Sequence, residues 1–426
     1  ERILRLEAEM AKAPAEMKPL MHAILGHWYW QFFEHNRWRF LQRTPTAEPP
    51  GADILTWDLA RILSEIDRQF SAALSDEKSL QAQPIALFEA LLTKATMPDA
   101  CRPTLFDFLA HEALKFYQAG EQAGAKAADA FVLEAESPIF GTTDEFLRWV
   151  PDTGDEVSPL FKGVKLLQKL VAFHRNDREP TALLDAELAR LSFAKEQSVG
   201  EAKTARAIAA YRRIAEEWAD HEASALARHV WATLLREEGD FVEARKVAQQ
   251  GAGAHPRSPG GRLCANLVKE IEALELAIST ERVWNAPWPA IEVAYRNANK
   301  VWFRAIPQDY EALLKRRTWS PESVDDDLRK ALLAAAPAQA WSAALPPTPD
   351  YQTRVEATAV PQDLKPGFYF VLASLREDFR EGDNIISAAP VWVSDLALVT
   401  RSRMNDNLLD GFVLRAGGGE PVAGAS

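Results

Sequence analysis

The chain has 426 residues, 47% of them hydrophobic and 26% charged; it can bury cores, and at roughly 100–200 residues per domain two to four units are expected. Sixty-one acidic against 49 basic residues give a formal net charge of −12, which argues against a general nucleic-acid binder, because phosphate contacts need clustered cations. No apolar run approaches the ~18–20 residues of a membrane span, and two cysteines, Cys101 and Cys264, exclude a disulfide framework or a Cys-rich zinc site while leaving open whether the two pair.

The chain opens at Glu1 without a charged start leading into an apolar stretch, so no signal peptide is visible and a trimmed piece of something longer is expected. Residues 25–40 are dense in aromatics: Trp28, Tyr29, Trp30, Phe32, Phe33, Trp38 and Phe40, with Arg37, Arg39 and Arg43 close by. A stacking surface for a ligand or nucleic acid would use such residues. A helix buried nearly all round, with arginines bonded to neighbouring carbonyls or carboxylates, uses them equally well and suits the acidic, helical context better.

Helix follows helix over the first ~275 residues. Leu59, Ile62, Leu63, Ile66 and Phe70 fall at helical spacing behind Thr56, a candidate N-cap. Ile85, Phe88, Leu91 and Leu92 follow Pro84, which suits a first helical turn, and Leu105, Phe108 and Leu109 follow Pro103, with Gly120 as the stop. Leu166, Leu167, Leu170 and Phe173 form another stripe, and Leu183, Leu184, Leu188 and Leu191 one more. Short links carrying Pro or Gly suit helix hairpins.

One segment resembles a tetratricopeptide repeat. Gly239-Asp240-Phe241 is the turn, Ala244 the small residue early on the second helix, and Pro256 closes it; Ala232 stands at the small position of the first helix and Leu235 at the aromatic one. Arg228 and Ala248 depart from the pattern, and Ala207 with Tyr211 suggest an earlier partial copy. Small residues let the helices approach and Gly239 takes the tight turn. If such a repeat binds a peptide, Tyr211, Trp231 and Leu235 are the interaction surface; if its helices pack only on one another, none of them is.

The hydrophobic rhythm changes near Trp284. Asn285-Ala286-Pro287-Trp288-Pro289 is a break, and beyond it the period is two: Ile291, Val293 and Tyr295, then Val301, Phe303 and Ala305, then Phe368, Phe370 and Leu372 after Lys365-Pro366-Gly367, then Val391 and Val393. These are antiparallel strand signatures, with Val293, Phe303, Phe370 and Val393 expected to point inward. One helical insertion interrupts them, starting at Ser320-Pro321-Glu322 with Val324, Leu328 and Leu332 inside it.

Chemistry-bearing patterns are sparse. His111-Glu112 opens like a metalloprotease helix, but Lys115 stands where the second histidine belongs. No phosphate loop, dinucleotide glycine pattern or nucleophile elbow occurs. Asp325-Asp326-Asp327 lacks the glycine and bidentate glutamate of a calcium loop and fits a helix start instead. Neither cysteine has a nearby His and base in sequence. No catalytic residue, metal site or cofactor is expected.

The C-terminal third resembles the first macroglobulin domain of bacterial alpha-2-macroglobulin-like proteins. The likeness rests on Ile291-Glu292-Val293-Ala294-Tyr295-Arg296-Asn297, Lys300-Val301-Trp302-Phe303-Arg304, Leu364-Lys365-Pro366-Gly367-Phe368-Tyr369-Phe370-Val371-Leu372-Ala373 and Val391-Trp392-Val393-Ser394-Asp395-Leu396. The tail Gly419-Glu420-Pro421-Val422-Ala423-Gly424-Ala425 is similar to the opening of the next sandwich, and Trp28-Tyr29-Trp30 to Phe40, with Arg43-Thr44, to the helical leader of large family members. The resemblance implies a large extracytoplasmic protein, in periplasm or at the cell surface, that traps proteases, in many members through a Cys-x-x-Gln thioester. At that spacing Cys101 is followed by Thr104 and Cys264 by Leu267, so the thioester is not expected in this chain.

The expected architecture is an all-α helical array, tetratricopeptide-like in part, followed by an antiparallel β-sandwich of macroglobulin or immunoglobulin type with a helical insertion. Its parts are a helical leader (1–180), tetratricopeptide-like repeats (181–280), a sandwich (281–398), and a linker with the start of a next β-domain (399–426). The expected role is a non-catalytic N-terminal scaffold of a protease inhibitor. Its partners would be downstream macroglobulin domains of the same chain and, through the full-length protein, proteases, with no nucleic acid. The alternative is a cell-envelope peptide-binding adaptor with an envelope protein as partner; a hydrolase assembled from scattered residues would need a pocket of convergent carboxylates or a His pair.

Overall fold

The computed structural model describes residues 2–42, 53–93, 97–119, 130–316, 320–403 and 408–424. The expectations placed on Arg43, Thr44, Gly120 and Ala425 lie outside the described residues. Two compact units are distinguished: Glu1–Leu234 with Val247–Ala265, and Leu235–Lys246 with Asn266–Ser426.

Among the described residues up to 272 the regular elements are helices. The helices are α1 (Arg2–Met10), α2 (Lys18–His35), α3 (Arg37–Leu41), α4 (Leu59–Ala73), α5 (Glu77–Gln81), α6 (Leu105–Gln118), α7 (Thr143–Arg148), α8 (Pro159–His174), α9 (Thr181–Gln197), α10 (Lys203–Glu217), α11 (Ala223–Glu237), α12 (Phe241–Ala254) and α13 (Pro259–Glu272). The apolar stripes bury as read: Ile62, Ile66 and Phe70 on α4, Leu167 and Leu170 on α8, and Leu184 and Leu191 on α9 are all fully enclosed.

Several local expectations are corrected. The cap of α4 is Asp58, whose carboxylate accepts the Arg61 N–H at 2.8 Å, while Thr56 ends a 3-10 turn at Ile54–Thr56. Pro84 opens only a 3-10 turn, Ile85–Phe88, because Leu87 and Leu91 find nothing to pack on and stay 72% and 61% exposed. The aromatic stretch is not one buried rod. It breaks at Asn36, whose side chain donates to the Phe32 carbonyl at 2.8 Å; Tyr29, Phe33 and Phe40 are buried, but Trp38 is 73% exposed. Arg39 does bond a neighbouring carbonyl, that of Leu55, at 3.0 Å.

In the tetratricopeptide-like segment Ala232 and Ala244 are each fully buried. Gly239 sits at φ +87°, a left-handed turn that a side chain would strain.

The last six residues of the stretch expected to be helical are a strand instead. Helix α13 stops at Glu272 and β1 (Glu275–Thr280) begins. Then come β2 (Val283–Trp284), β3 (Ala290–Arg296), β4 (Lys300–Gln308), α14 (Tyr310–Arg316), α15 (Asp326–Ala334), β5 (Gln339–Ala344), β6 (Arg354–Ala359), β7 (Gly367–Ser374), β8 (Ile386–Val393), β9 (Leu396–Arg403) and β10 (Leu408–Arg415). One sheet has the order β1-β3-β6, a second β2-β8-β7-β4-β5, and β9 with β10 forms a hairpin; all pairings are antiparallel except β2 with β8.

One core takes side chains from both larger sheets: Ile291, Val293 and Tyr295 from the first, and Val301, Phe303, Val371 and Val391 from the second. Trp284 is buried in it, its indole N–H donating to Thr280 Oγ1 at 3.0 Å. Asn297, at φ +58°, turns β3 into β4 and donates from Nδ2 to the carbonyls of Ile271 and Ala273, tying the end of α13 to the sheet.

Phe370 points away from that core. With Phe368 and Leu372 it packs on Leu313, Leu328 and Leu332 of α14 and α15, on the opposite face of the sheet. The insertion is thus two helices covering β7. Its second helix is capped by Asp325, which accepts the Leu328 N–H at 2.8 Å and pairs with Arg316, and Ser320 and Val324 lie ahead of it. The three aspartates serve a helix start.

Phe370→Asp is expected to cost more than ~4 kcal/mol by burying an unpaired charge. Val355→Asp, at a site 61% exposed, should stay within about 0.5 kcal/mol. Thermal melting of the two variants checks the assignment; equal melting curves would refute it.

Candidate functional site

One buried network of titratable groups in the first unit starts at the N-terminus of α6. Thr104 and Asp107 form a reciprocal cap: the Asp107 N–H donates to Thr104 Oγ1 at 3.3 Å, and Asp107 Oδ2 accepts from the Thr104 N–H at 2.9 Å and its hydroxyl at 2.8 Å. The other carboxylate oxygen, Oδ1, faces His174 Nε2 at 2.7 Å, and His174 Nδ1 lies 2.7 Å from Asp177 Oδ2. An ionised carboxylate only accepts, so a carboxylate at each ring nitrogen favours the form of the ring in which both nitrogens carry a proton. Burial works to lower the His174 pKa; the Asp107 and Asp177 carboxylates outweigh it and raise the value.

One turn further, His111 Nδ1 donates to the Asp107 carbonyl at 2.8 Å, and its Nε2 faces Asp185 Oδ2 at 3.2 Å. Arg102 Nε donates to the same Asp185 oxygen at 2.9 Å. Burial opposes ionisation of Asp185, but His111 and Arg102 hold its pKa below the usual carboxylate value.

Asp185 leads into a cavity of about 180 Å³ formed by Met97, Pro98 and Cys101 with the first turns of α9, α11 and α13. Gly260 makes the geometry possible: a Cβ there would come within 2.3 Å of the Leu226 backbone nitrogen. A cysteine, a histidine and two carboxylates therefore meet here, as Cys101, His221, Asp185 and Glu222, although they are spread over 120 residues of sequence. No local spacing could have announced them.

The arrangement is not that of an activated nucleophile. Burial pushes the Cys101 thiol up to about 11, with Asp185 and Glu222 adding to the effect, so about one molecule in 10⁴ carries the thiolate at neutral pH. His221 Nδ1 accepts the Ala223 N–H at 3.1 Å, which leaves Nε2–H to donate to Thr181 Oγ1 at 3.1 Å. Both ring nitrogens are engaged without the sulfur. Cys264 is fully buried, its Sγ donating to the Ala225 carbonyl, and both cysteines are free thiols.

A second cavity, of about 290 Å³, is lined by Arg190, Arg213, Glu187 and Thr143. Its two arginines are engaged: Arg190 pairs with Glu187 and donates to the Gly141 carbonyl, to which Arg213 also donates. Among the described residues no group of three or more His, Cys, Asp or Glu could hold a metal ion, and no helix is long and apolar enough to cross a membrane.

The residues expected to form a peptide surface differ in burial. Tyr211, on α10, is 2% exposed, and Trp231, on α11, is 9% exposed with the Arg212 guanidinium 5.7 Å from its ring. Leu235, in the last turn of α11, is half-buried.

Comparison with family models, with curated proteins and with solved structures finds no match for this chain.

Two outcomes are expected. With its pKa raised, His174 contributes stability in full below the ordinary imidazole value of about 6.5, and that stability is lost as pH rises through the raised value. The urea midpoint of the first unit should therefore fall with rising pH across that window, and His174→Gln should flatten this component; an unchanged profile in the variant would exclude the network. Iodoacetamide should label Cys101 slowly at neutral pH, at a rate that climbs about tenfold per pH unit until near the thiol pKa. A rate already at plateau near pH 8 would contradict the buried, carboxylate-flanked setting.

Proposed function

We propose that this chain is a non-catalytic, extracytoplasmic N-terminal scaffold of an alpha-2-macroglobulin-like protein, a helical leader joined to a macroglobulin-type β-sandwich. The observation that carries the reading is the pair of sheets closed over one core by Ile291, Val293, Tyr295, Val301 and Phe303, the residues on which the family resemblance rests. A core shared by two sheets supports the sandwich reading, in which the helices over β7 are an addition.

The suppressed thiols support a role without covalent catalysis. Binding to downstream macroglobulin domains would leave trapping to the full-length protein. A peptide-binding adaptor is the second reading. It draws support from the cavity at Cys101 rather than from Tyr211, Trp231 or Leu235.

The test compares protease activity on casein and on a small chromogenic peptide. This chain alone is expected to change neither rate and to incorporate no methylamine, whereas the product of the complete reading frame should stop casein cleavage and spare the small substrate. Casein protection by this chain alone, or a complete product that protects nothing, would overturn the scaffold reading.

A further inference from the structure

We propose that the cavity at Cys101 is a receptor for one basic side chain, lysine or arginine, of a peptide partner. Its alkyl stem would lie on Leu188, Leu226 and Pro259 and its cationic head between Asp185 and Glu222. The inference is independent of the scaffold reading.

Size comes first. Sites for drug-sized ligands run to ~300–1,000 Å³, and about 180 Å³ suits a single long side chain. The wall is mostly apolar, which matches a methylene stem. Charge selects the head group. Asp185 spends Oδ2 on Arg102 and His111, and its Oδ1 carries no hydrogen bond among the described residues. Glu222 is exposed at the rim and has no ion-pair partner among the described residues. The neighbouring cation, Arg102, is already engaged, and His221 Nδ1 accepts the Ala223 N–H. Burial raises the Cys101 thiol first, and Asp185 and Glu222 add to this while Arg102 acts against them.

Three helix N-termini also face the cavity and would favour an anion. Two of their N–H groups are spent, however: that of Gly261 on Ser258 Oγ at 2.9 Å, and that of Ala223 on His221. Glu222, without an ion-pair partner among the described residues, and the Asp185 oxygen that Arg102 does not use are set against what remains of the dipoles.

Cys101 reports occupancy directly, because it is half-buried at the site while Cys264 is enclosed. Alkylation of Cys101 by iodoacetamide is followed with four probes at millimolar concentration: acetyl-Ala-X-Ala-amide with X as lysine, arginine, norleucine or glutamate. The lysine and arginine peptides should slow alkylation at least about threefold more than norleucine does, and glutamate should give no protection. Glu222→Gln, an exposed site whose replacement leaves packing intact, should bring lysine down to the norleucine level. Equal protection by norleucine and lysine in the unaltered protein, best protection by glutamate, or no protection by any probe would each overturn the proposal.

Discussion

Strand β7 has no solvent face. Phe368, Tyr369, Phe370, Val371, Leu372 and Ala373 are consecutive and all buried, so the strand can exist only with apolar cover on both sides. One side is met by β1, β3 and β6 through Ile291, Val293 and Tyr295; the other by α14 and α15 through Leu313, Leu328 and Leu332. Every other element of the second unit's core takes its position from this requirement, and the insertion that departs from a plain two-sheet arrangement is the cover for the second face.

The strands with one buried face were legible in sequence. Ile291, Val293 and Tyr295 alternate with more exposed residues, as do Val301, Phe303 and Ala305, and period two reports that environment directly. Phe370 was read as inward but assigned to the wrong face, because a strand buried on both sides has no period to give its orientation. Strand β1 was read as helix since Glu, Leu and Ala around it continue a good helical composition, and only pairing with β3 decides otherwise. One cap was misplaced by two residues: Asp58 holds the position assigned to Thr56, because the cap depends on where the entering chain turns, whereas Asp325 to Asp327 open a helix as read.

The candidate site was hardly legible. His111 drew notice for a motif that Lys115 breaks, yet its partner is Asp185 on another helix, and Asp107, its own turn-mate, is joined to His174 instead. Such groups meet through packing between α6, α8 and α9, and sequence distance carries no information about it. What sequence did convey was composition: few histidines and two isolated cysteines, consistent with thiols that the fold leaves unactivated.

The hairpin β9–β10 stands in contrast to β7. Leu398, Val399 and Phe412 are each at least half exposed, and a two-stranded ribbon is barely stable in water by itself. Its amide protons should therefore trade with solvent long before those of β7, even though the chain returns to bridge the outer edge of β10 at Leu414 and Pro421.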